Sequence, residues 1–117
     1  MRWIIFILLA LPACAQVDEA RLLRAIALVE SNGNPAAVGA HGERGECQMM
    51  SAMRRHYGTP EVMLRDLERQ LPRAGMPVSE YTLALAFHCG MTRIRQRRIT
   101  DADADYAQRV RAIYISP

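Results

Sequence analysis

The chain has 117 residues and a formal net charge of +3, and all 15 of its basic residues are arginines. This length allows one domain with a modest hydrophobic core. The small positive charge is weaker than the basic footprint of a nucleic-acid-binding domain, so we expect no nucleic-acid partner. The one dense cationic cluster, formed by the arginines of residues 93–98, is typical of a solvated helix end.

The first 15 residues have the features of a signal peptide. Arg2 supplies a short positive region, residues 3–11 form an unbroken apolar run, and residues 13–15 (Ala-Cys-Ala) match a signal-peptidase site. The run is shorter than the roughly 20 apolar residues that a membrane-spanning helix needs. We therefore expect export to the periplasm or the extracellular space, with no stable membrane span and one domain at residues 16–117. An N-terminal core helix and a lipoprotein anchored at Cys14 are the alternatives.

After the signal peptide, no stretch shows the sustained alternation of apolar and polar residues that indicates a β-strand. The periodic segments instead repeat their apolar residues at helical spacing. Asp18 is the predicted N-cap of the first helix, Thr59 that of the third, and Pro60 suits a first helical position. A glycine-rich loop is predicted from Asn32 to Gly45. The predicted helices cover residues 18–30, 47–57, 60–71 and 79–90, and a last helix begins after residue 100. The sequence thus predicts a single small all-α domain.

Glu30 is the most informative residue, because it ends an apolar helix and is followed at once by a polar loop. Burial disfavours the charged carboxylate, and so does the negative end of a helix dipole. Both effects raise the pKa of the carboxyl group toward the value that a general acid needs near neutral pH. We therefore interpret Glu30 as the candidate catalytic acid.

The loop after Glu30 has the composition of a cleft wall. Its four glycines let the backbone approach a ligand closely, and Gln48 follows with an amide that can donate and accept hydrogen bonds. The glycines are Gly33, Gly39, Gly42 and Gly45. A loop framed by an acid and an amide favours a binding site over a simple connector.

Three blocks of the sequence resemble the soluble lytic transglycosylase (SLT-like) domains, which share the lysozyme-like fold with goose-type lysozymes. The first block comprises Glu30-Ser31, Asn34-Pro35, Ala37-Val38, Gly42, Gly45 and Gln48 at the family's spacing. Residues 85–90 resemble the block written Ala-Tyr-Asn-x-Gly, and residues 106–110 the Tyr-Val block near the domain end. The blocks occur in the family's order. Phe87 and His88 depart from it, since they stand where Tyr and Asn are common.

The resemblance implies cleavage of the β-1,4 bond between N-acetylmuramic acid and N-acetylglucosamine in peptidoglycan, with no cofactor or metal. Glu30 would protonate the glycosidic oxygen and then act as base on the muramoyl 6-hydroxyl, which leaves a 1,6-anhydro end. The residues expected around the substrate are Ser31, Gln48, His88 and Tyr106. Ser31 is expected to support the loop, and Tyr106 to reach toward Glu30.

Two other functions remain open at this point. A lysozyme-like hydrolase would need a second acid across the sugar, for which Glu43 and Glu46 are the candidates. Glu46 stands where the family is usually apolar. The departures at Phe87 and His88 would also fit a peptidoglycan-binding module that kept the fold without catalysis.

Cys47 and Cys89 are the cysteines left after removal of the signal peptide. An even pair in an oxidising compartment favours a disulfide, which in the chain-entropy model would stabilise the fold by roughly 4 kcal/mol. No Cys or His lies at metal-ligand spacing from them, so we expect no metal site. The small size predicts a bare catalytic domain that opens the wall locally for a cell-envelope secretion machine or a phage, and we expect it to act on glycan strands as a monomer.

Overall fold

A computed structural model describes residues 16–117, and the predicted signal peptide at residues 1–15 lies outside this range. The described chain contains six helices and no β-strand, which confirms the all-α prediction. They are α1 (Glu19–Ser31), α2 (Ser51–Tyr57), α3 (Pro60–Arg73), α4 (Glu80–Cys89), α5 (Met91–Arg95) and α6 (Asp101–Tyr114). None of the helices in this range is long and apolar enough to cross a membrane.

The longer helices begin where the sequence predicts, because each has a polar side chain at its N-cap. The Asp18 carboxylate accepts the backbone N–H of the third residue after it, at 3.1 Å. Thr59 does the same for α3, with Pro60 at the first helical position. Ser79 and Thr100 form capping boxes at the starts of α4 and α6. These side chains replace the partners that the first amide groups of a helix lack.

The predicted start of the second helix at Cys47 is wrong, since α2 begins at Ser51. Arg44 pairs with Val38 and with Met49 in isolated β-bridges, so the chain before α2 is held in a looped form. Gln48 has a φ of 50°, in the left-handed region, which a helix interior does not allow. Gln48 therefore lies in the loop and not on a new helix.

Two further boundaries differ from the prediction. Helix α3 continues through Pro72 to Arg73, two residues beyond its expected end at residue 71. The short helix α5 was not predicted, because it follows Gly90 directly. The φ of 83° at Gly90 turns the chain between α4 and α5 without a connecting loop.

Helix α4 forms the centre of the domain. Residues 82–87 are all buried, which is typical of a helix that packs against neighbours on every side. It packs most extensively against α6 and also against α3, while α1 packs against α6. The largest fully buried side chains are Leu22, Ile26, Leu64, Leu71, Leu83 and Val110. This packing brings the C-terminal ends of α1 and α4 to a common cleft, and α6 packs behind both helices.

Candidate active site

Glu30 lies in the last turn of α1 and opens into a cleft of about 390 Å³. The helix ends one residue later at Ser31, where Asn32 takes the left-handed conformation of a C-cap, with a φ of 55°. Polar side chains on the cleft wall are those of Glu43, Gln48 and His88. The apolar and sulfur-containing part is formed by Cys47, Met49, Met50, Met53, Met63, Phe87 and Cys89.

The pKa of Glu30 is raised above its ordinary value, as the sequence predicts, and burial is the main cause. The negative charge of Glu43 raises this pKa further. The Tyr106 hydroxyl, the His88 ring when it is protonated and the charge of Arg109 act in the opposite direction, but they do not cancel the effect of burial. The site thus favours the protonated carboxyl group that a general acid requires.

Tyr106 lies beneath the cleft on α6 and is only 4% exposed. Its hydroxyl has no hydrogen-bond partner within the described residues. It nevertheless lowers the pKa of Glu30, so it lies near that carboxyl group. Burial and the nearby Glu30 charge raise the pKa of Tyr106, which keeps the phenol protonated and able to donate.

His88, near the end of α4, is held between two residues of α6. Its ring stacks on that of Tyr106, with 4.1 Å between the centroids and 18° between the planes. Its Nε2 lies 3.4 Å from the Oδ1 atom of Asp103. The His88 imidazole therefore lines the cleft in a position that is fixed by its contacts with Tyr106 and Asp103.

Asp103 and Arg93 are parts of the site that sequence reasoning missed. Asp103 is buried, and its carboxylate accepts the backbone N–H of Thr100 at 2.9 Å and pairs with the Arg93 guanidinium. These contacts lower the pKa of Asp103 and keep it ionised. Arg93 is thus half-buried in an ion pair, although the sequence placed it in a solvated cluster. The spacing Thr100-x-x-Asp103, that of a capping box, was the one available signal.

The side chain of Gln48 holds the loop together. Its Nε2 donates to the backbone oxygens of Ala37 (3.1 Å) and Gly45 (2.7 Å). Its Oε1 lies so close to Gly39 that a Cβ atom there would be 2.8 Å away, and the same Cβ would meet the Glu43 carboxylate at 1.9 Å. Both amide protons serve the loop, so Oε1 is the atom of Gln48 that is left for a ligand.

Ser31 and Glu46 do not line the cleft. The Ser31 hydroxyl donates to the backbone oxygen of Glu46 at 2.6 Å and accepts from the Asn34 N–H at 3.1 Å, which gives it a supporting role in the loop. The Glu46 side chain borders a separate depression with Leu23 and Glu61. Of the two candidate second acids, the structure therefore brings only Glu43 to the cleft with Glu30.

Cys47 and Cys89 both line the cleft but are free thiols, so the predicted disulfide is absent from the structure. The Cys47 thiol donates to the Leu23 carbonyl at 3.7 Å, and that of Cys89 to the Gly90 carbonyl at 3.6 Å. Burial raises the pKa of Cys47 to about 12, which keeps it protonated. Residues 16–117 contain no group of three or more His, Cys, Asp or Glu side chains placed to hold a metal ion.

Comparison with known proteins gives one finding. The model of the family described as "Transglycosylase SLT domain" matches residues 10–109, a range that includes every residue of the cleft. No curated protein and no solved structure shows significant similarity to the chain. The match covers most of the sequence, and the chain therefore belongs to the transglycosylase SLT domain family, a family of glycan-cleaving enzymes.

Proposed function

We propose that the protein is an exported lytic transglycosylase that cleaves the bond between N-acetylmuramic acid and N-acetylglucosamine in peptidoglycan. The observation that carries this proposal is the position of Glu30. A carboxyl group with a raised pKa opens into the cleft, within a chain that belongs to the SLT family. Family membership supports a glycan-cleaving enzyme, and the environment of Glu30 supports its role as the acid.

The proposed reaction uses one carboxyl group twice. Protonated Glu30 donates its proton to the glycosidic oxygen while the bond from C1 to that oxygen breaks. The resulting carboxylate then takes the proton of the muramoyl 6-hydroxyl, whose oxygen forms a new bond to C1. The products are a 1,6-anhydro-muramoyl end and a free 4-hydroxyl on the leaving sugar. Glu30 ends the cycle protonated, and no water is consumed.

The surroundings of Glu30 suit both steps. Burial and Glu43 favour the protonated form before the bond breaks. Once the proton has left, the Tyr106 hydroxyl and the positive charge of Arg109 favour the carboxylate. We assign substrate contacts to His88 and to the Oε1 atom of Gln48, since both line the cleft beside Glu30.

A hydrolase is the second candidate, because Glu43 also lines the cleft with Glu30. Most glycosidases use two carboxyl groups that flank the scissile bond. One acts as the acid, and the other activates water or attacks C1. The two reactions differ in their products: water leaves a reducing end, and the 6-hydroxyl leaves a 1,6-anhydro end.

Mass spectrometry of the fragments released from purified peptidoglycan tests this proposal. We expect 1,6-anhydro ends from the wild-type protein and a loss of at least about 100-fold in release rate for Glu30→Gln, which keeps the shape but cannot supply the proton. Glu46→Gln is the matched control, since Glu46 lies outside the cleft, and it should keep the wild-type rate.

Other outcomes decide against the proposal in distinct ways. Reducing ends from the wild-type protein would assign a hydrolase. Full activity of Glu30→Gln would remove Glu30 from the reaction. Peptidoglycan binding without release of fragments, equal in the wild type and the variant, would identify a non-catalytic binding module.

A further inference from the structure

The two oxygens of the Asp103 carboxylate have different partners. Oδ2 accepts the backbone N–H of Thr100 at 2.9 Å and also contacts the Arg93 guanidinium. Oδ1 lies 3.3 Å from the second terminal nitrogen of Arg93 and 3.4 Å from Nε2 of His88. An ionised carboxylate can only accept, so every group that faces it is favoured as a donor.

We propose that Asp103 is a positioning residue that fixes the neutral His88 imidazole as its Nε2–H tautomer. The other ring nitrogen, Nδ1, then carries a lone pair and accepts a hydrogen bond from a hydroxyl or an acetamido N–H of the bound sugar. This inference rests on the proposed function, and it adds the hydrogen-bond polarity of the His88 contact.

The surroundings of His88 allow little freedom for another arrangement. The parallel stacking on Tyr106 fixes the plane of the ring. The contact with Asp103 then fixes which edge of the ring points into the protein. The side chain is 36% exposed and lines the cleft, so a glycan can reach it. In a neutral imidazole one nitrogen donates and the other accepts, and the hydrogen bond made by one sets the role of the other.

The substitution Asp103→Asn should reverse this tautomer. The amide oxygen of the variant should occupy the Oδ2 position, because the Thr100 N–H and the Arg93 guanidinium both donate there. The amide NH₂ group then takes the Oδ1 position and faces Nε2 of His88. Because NH₂ is a donor, Nε2 must accept, and the proton moves to Nδ1.

Nitrogen-15 NMR of the imidazole rings at about pH 9, where ordinary histidines are neutral, reads the tautomer directly. The protein has three histidines, and the His88 signals are those lost in His88→Gln. We expect the Nε2–H tautomer in the wild type and the Nδ1–H tautomer in Asp103→Asn. Asp101→Asn, an exposed acid in the first turn of the same helix, should keep the wild-type signals.

An Nδ1–H tautomer in the wild type would overturn the proposal even if Asp103→Asn failed to fold. So would an unchanged tautomer in a folded Asp103→Asn. This measurement needs no substrate, so it stands apart from the proposed function, which fails if the wild type releases no fragments. If the wild type is active, we expect Asp103→Asn to lower kcat/KM about tenfold, because Nδ1 of His88 would then donate where the substrate needs an acceptor. Asp101→Asn should leave kcat/KM unchanged.

Discussion

At the scale of single residues, the central feature of the site is the pair of carboxyl groups in one cleft. The pKa of Glu30 is raised mainly by burial, and the negative charge of Glu43 raises it further. A like charge nearby disfavours ionisation of its neighbour. Glu43 can therefore serve the reaction without touching the reacting atoms, by raising the pKa of Glu30.

Glu43→Gln should move the pH dependence of cleavage. Without the negative charge the pKa of Glu30 falls toward its ordinary value, although burial still raises it. The acid step needs protonated Glu30, so activity declines as the pH rises through this pKa. We expect the alkaline limb of the profile of kcat/KM against pH to shift to lower pH.

Glu46→Gln gives the matched control for this shift, because it removes a carboxylate from the same loop but outside the cleft. Its alkaline limb should coincide with that of the wild type. Equal shifts in the two variants would mean that overall charge, and not the position of Glu43, sets the pKa. A loss of activity at every pH in Glu43→Gln would make Glu43 a reacting group and favour the hydrolase.

Sequence reasoning found Glu30 but not its full setting. The end of an apolar helix followed by a polar loop is a local pattern, and the raised pKa follows from it. The contact between His88 and Asp103 is not local, because the two residues lie on different helices and meet only when α4 packs on α6. Gln48 was identified as a site residue, but its two loop hydrogen bonds depend on the folded path of the backbone.

At the scale of helices, the starting points were predictable where a side chain caps the helix. The caps are Asp18, Thr59, Ser79 and Thr100, and each accepts the amide N–H three positions on, so the signal is contained in a few residues. Helix α2 has no side-chain cap, and its start at Ser51 depends on the bridged loop before it. That dependence explains why its predicted start was wrong.

Ser79→Ala should destabilise the domain measurably. The Ser79 hydroxyl accepts the backbone N–H of Thr82 at 3.1 Å, and the Thr82 hydroxyl accepts the N–H of Ser79 at 2.9 Å. Loss of an N-cap of this kind costs about 1 kcal/mol. Because α4 is the central helix, we expect urea denaturation to show this loss in the free energy of unfolding of the whole domain.

Ser51→Ala is the control for the capping effect. Ser51 is the exposed first residue of α2, and its hydroxyl contacts only the half-buried Arg54 side chain, at 3.0 Å. Its removal should change the free energy of unfolding by less than about 0.5 kcal/mol. Similar losses in both variants would show that the capping box at Ser79 adds nothing beyond an ordinary serine contact.

At the scale of the whole molecule, the sequence predicted one all-α domain because its apolar residues repeat with helical periodicity throughout. It did not predict that α4 would be buried on every side, since that depends on α3 and α6 together. The arrangement has a functional consequence. The cleft lies at the ends of α1 and α4, and α6 packs behind both, so packing of the core fixes Glu30, His88 and Tyr106 relative to one another.

The same packing places the ionisable Glu30 where its charge opposes folding. A raised pKa in the folded state means that the folded protein holds this proton more tightly than the unfolded chain. Below the ordinary value of about 4.5 the group is protonated in both states, and its charge costs no stability. As the pH rises toward the folded-state pKa, Glu30 ionises in the unfolded chain before it ionises in the folded protein. This ionisation favours the unfolded state, so the wild type loses stability and does not regain it at higher pH.

Glu30→Gln should therefore be more stable than the wild type at neutral pH while it is inactive. Glutamine keeps the size of the side chain and cannot ionise, so the gain should be near zero at about pH 4, grow as the pH rises, and level off above the folded-state pKa. Urea denaturation of both proteins across this range measures the gain. Glu61→Gln, an exposed acid in the first turn of α3, should show no such rise. A variant less stable than the wild type at pH 8 would mean that Tyr106, His88 and Arg109 hold the carboxylate more strongly than burial opposes it, and would contradict the role of Glu30 as an acid kept protonated by its surroundings.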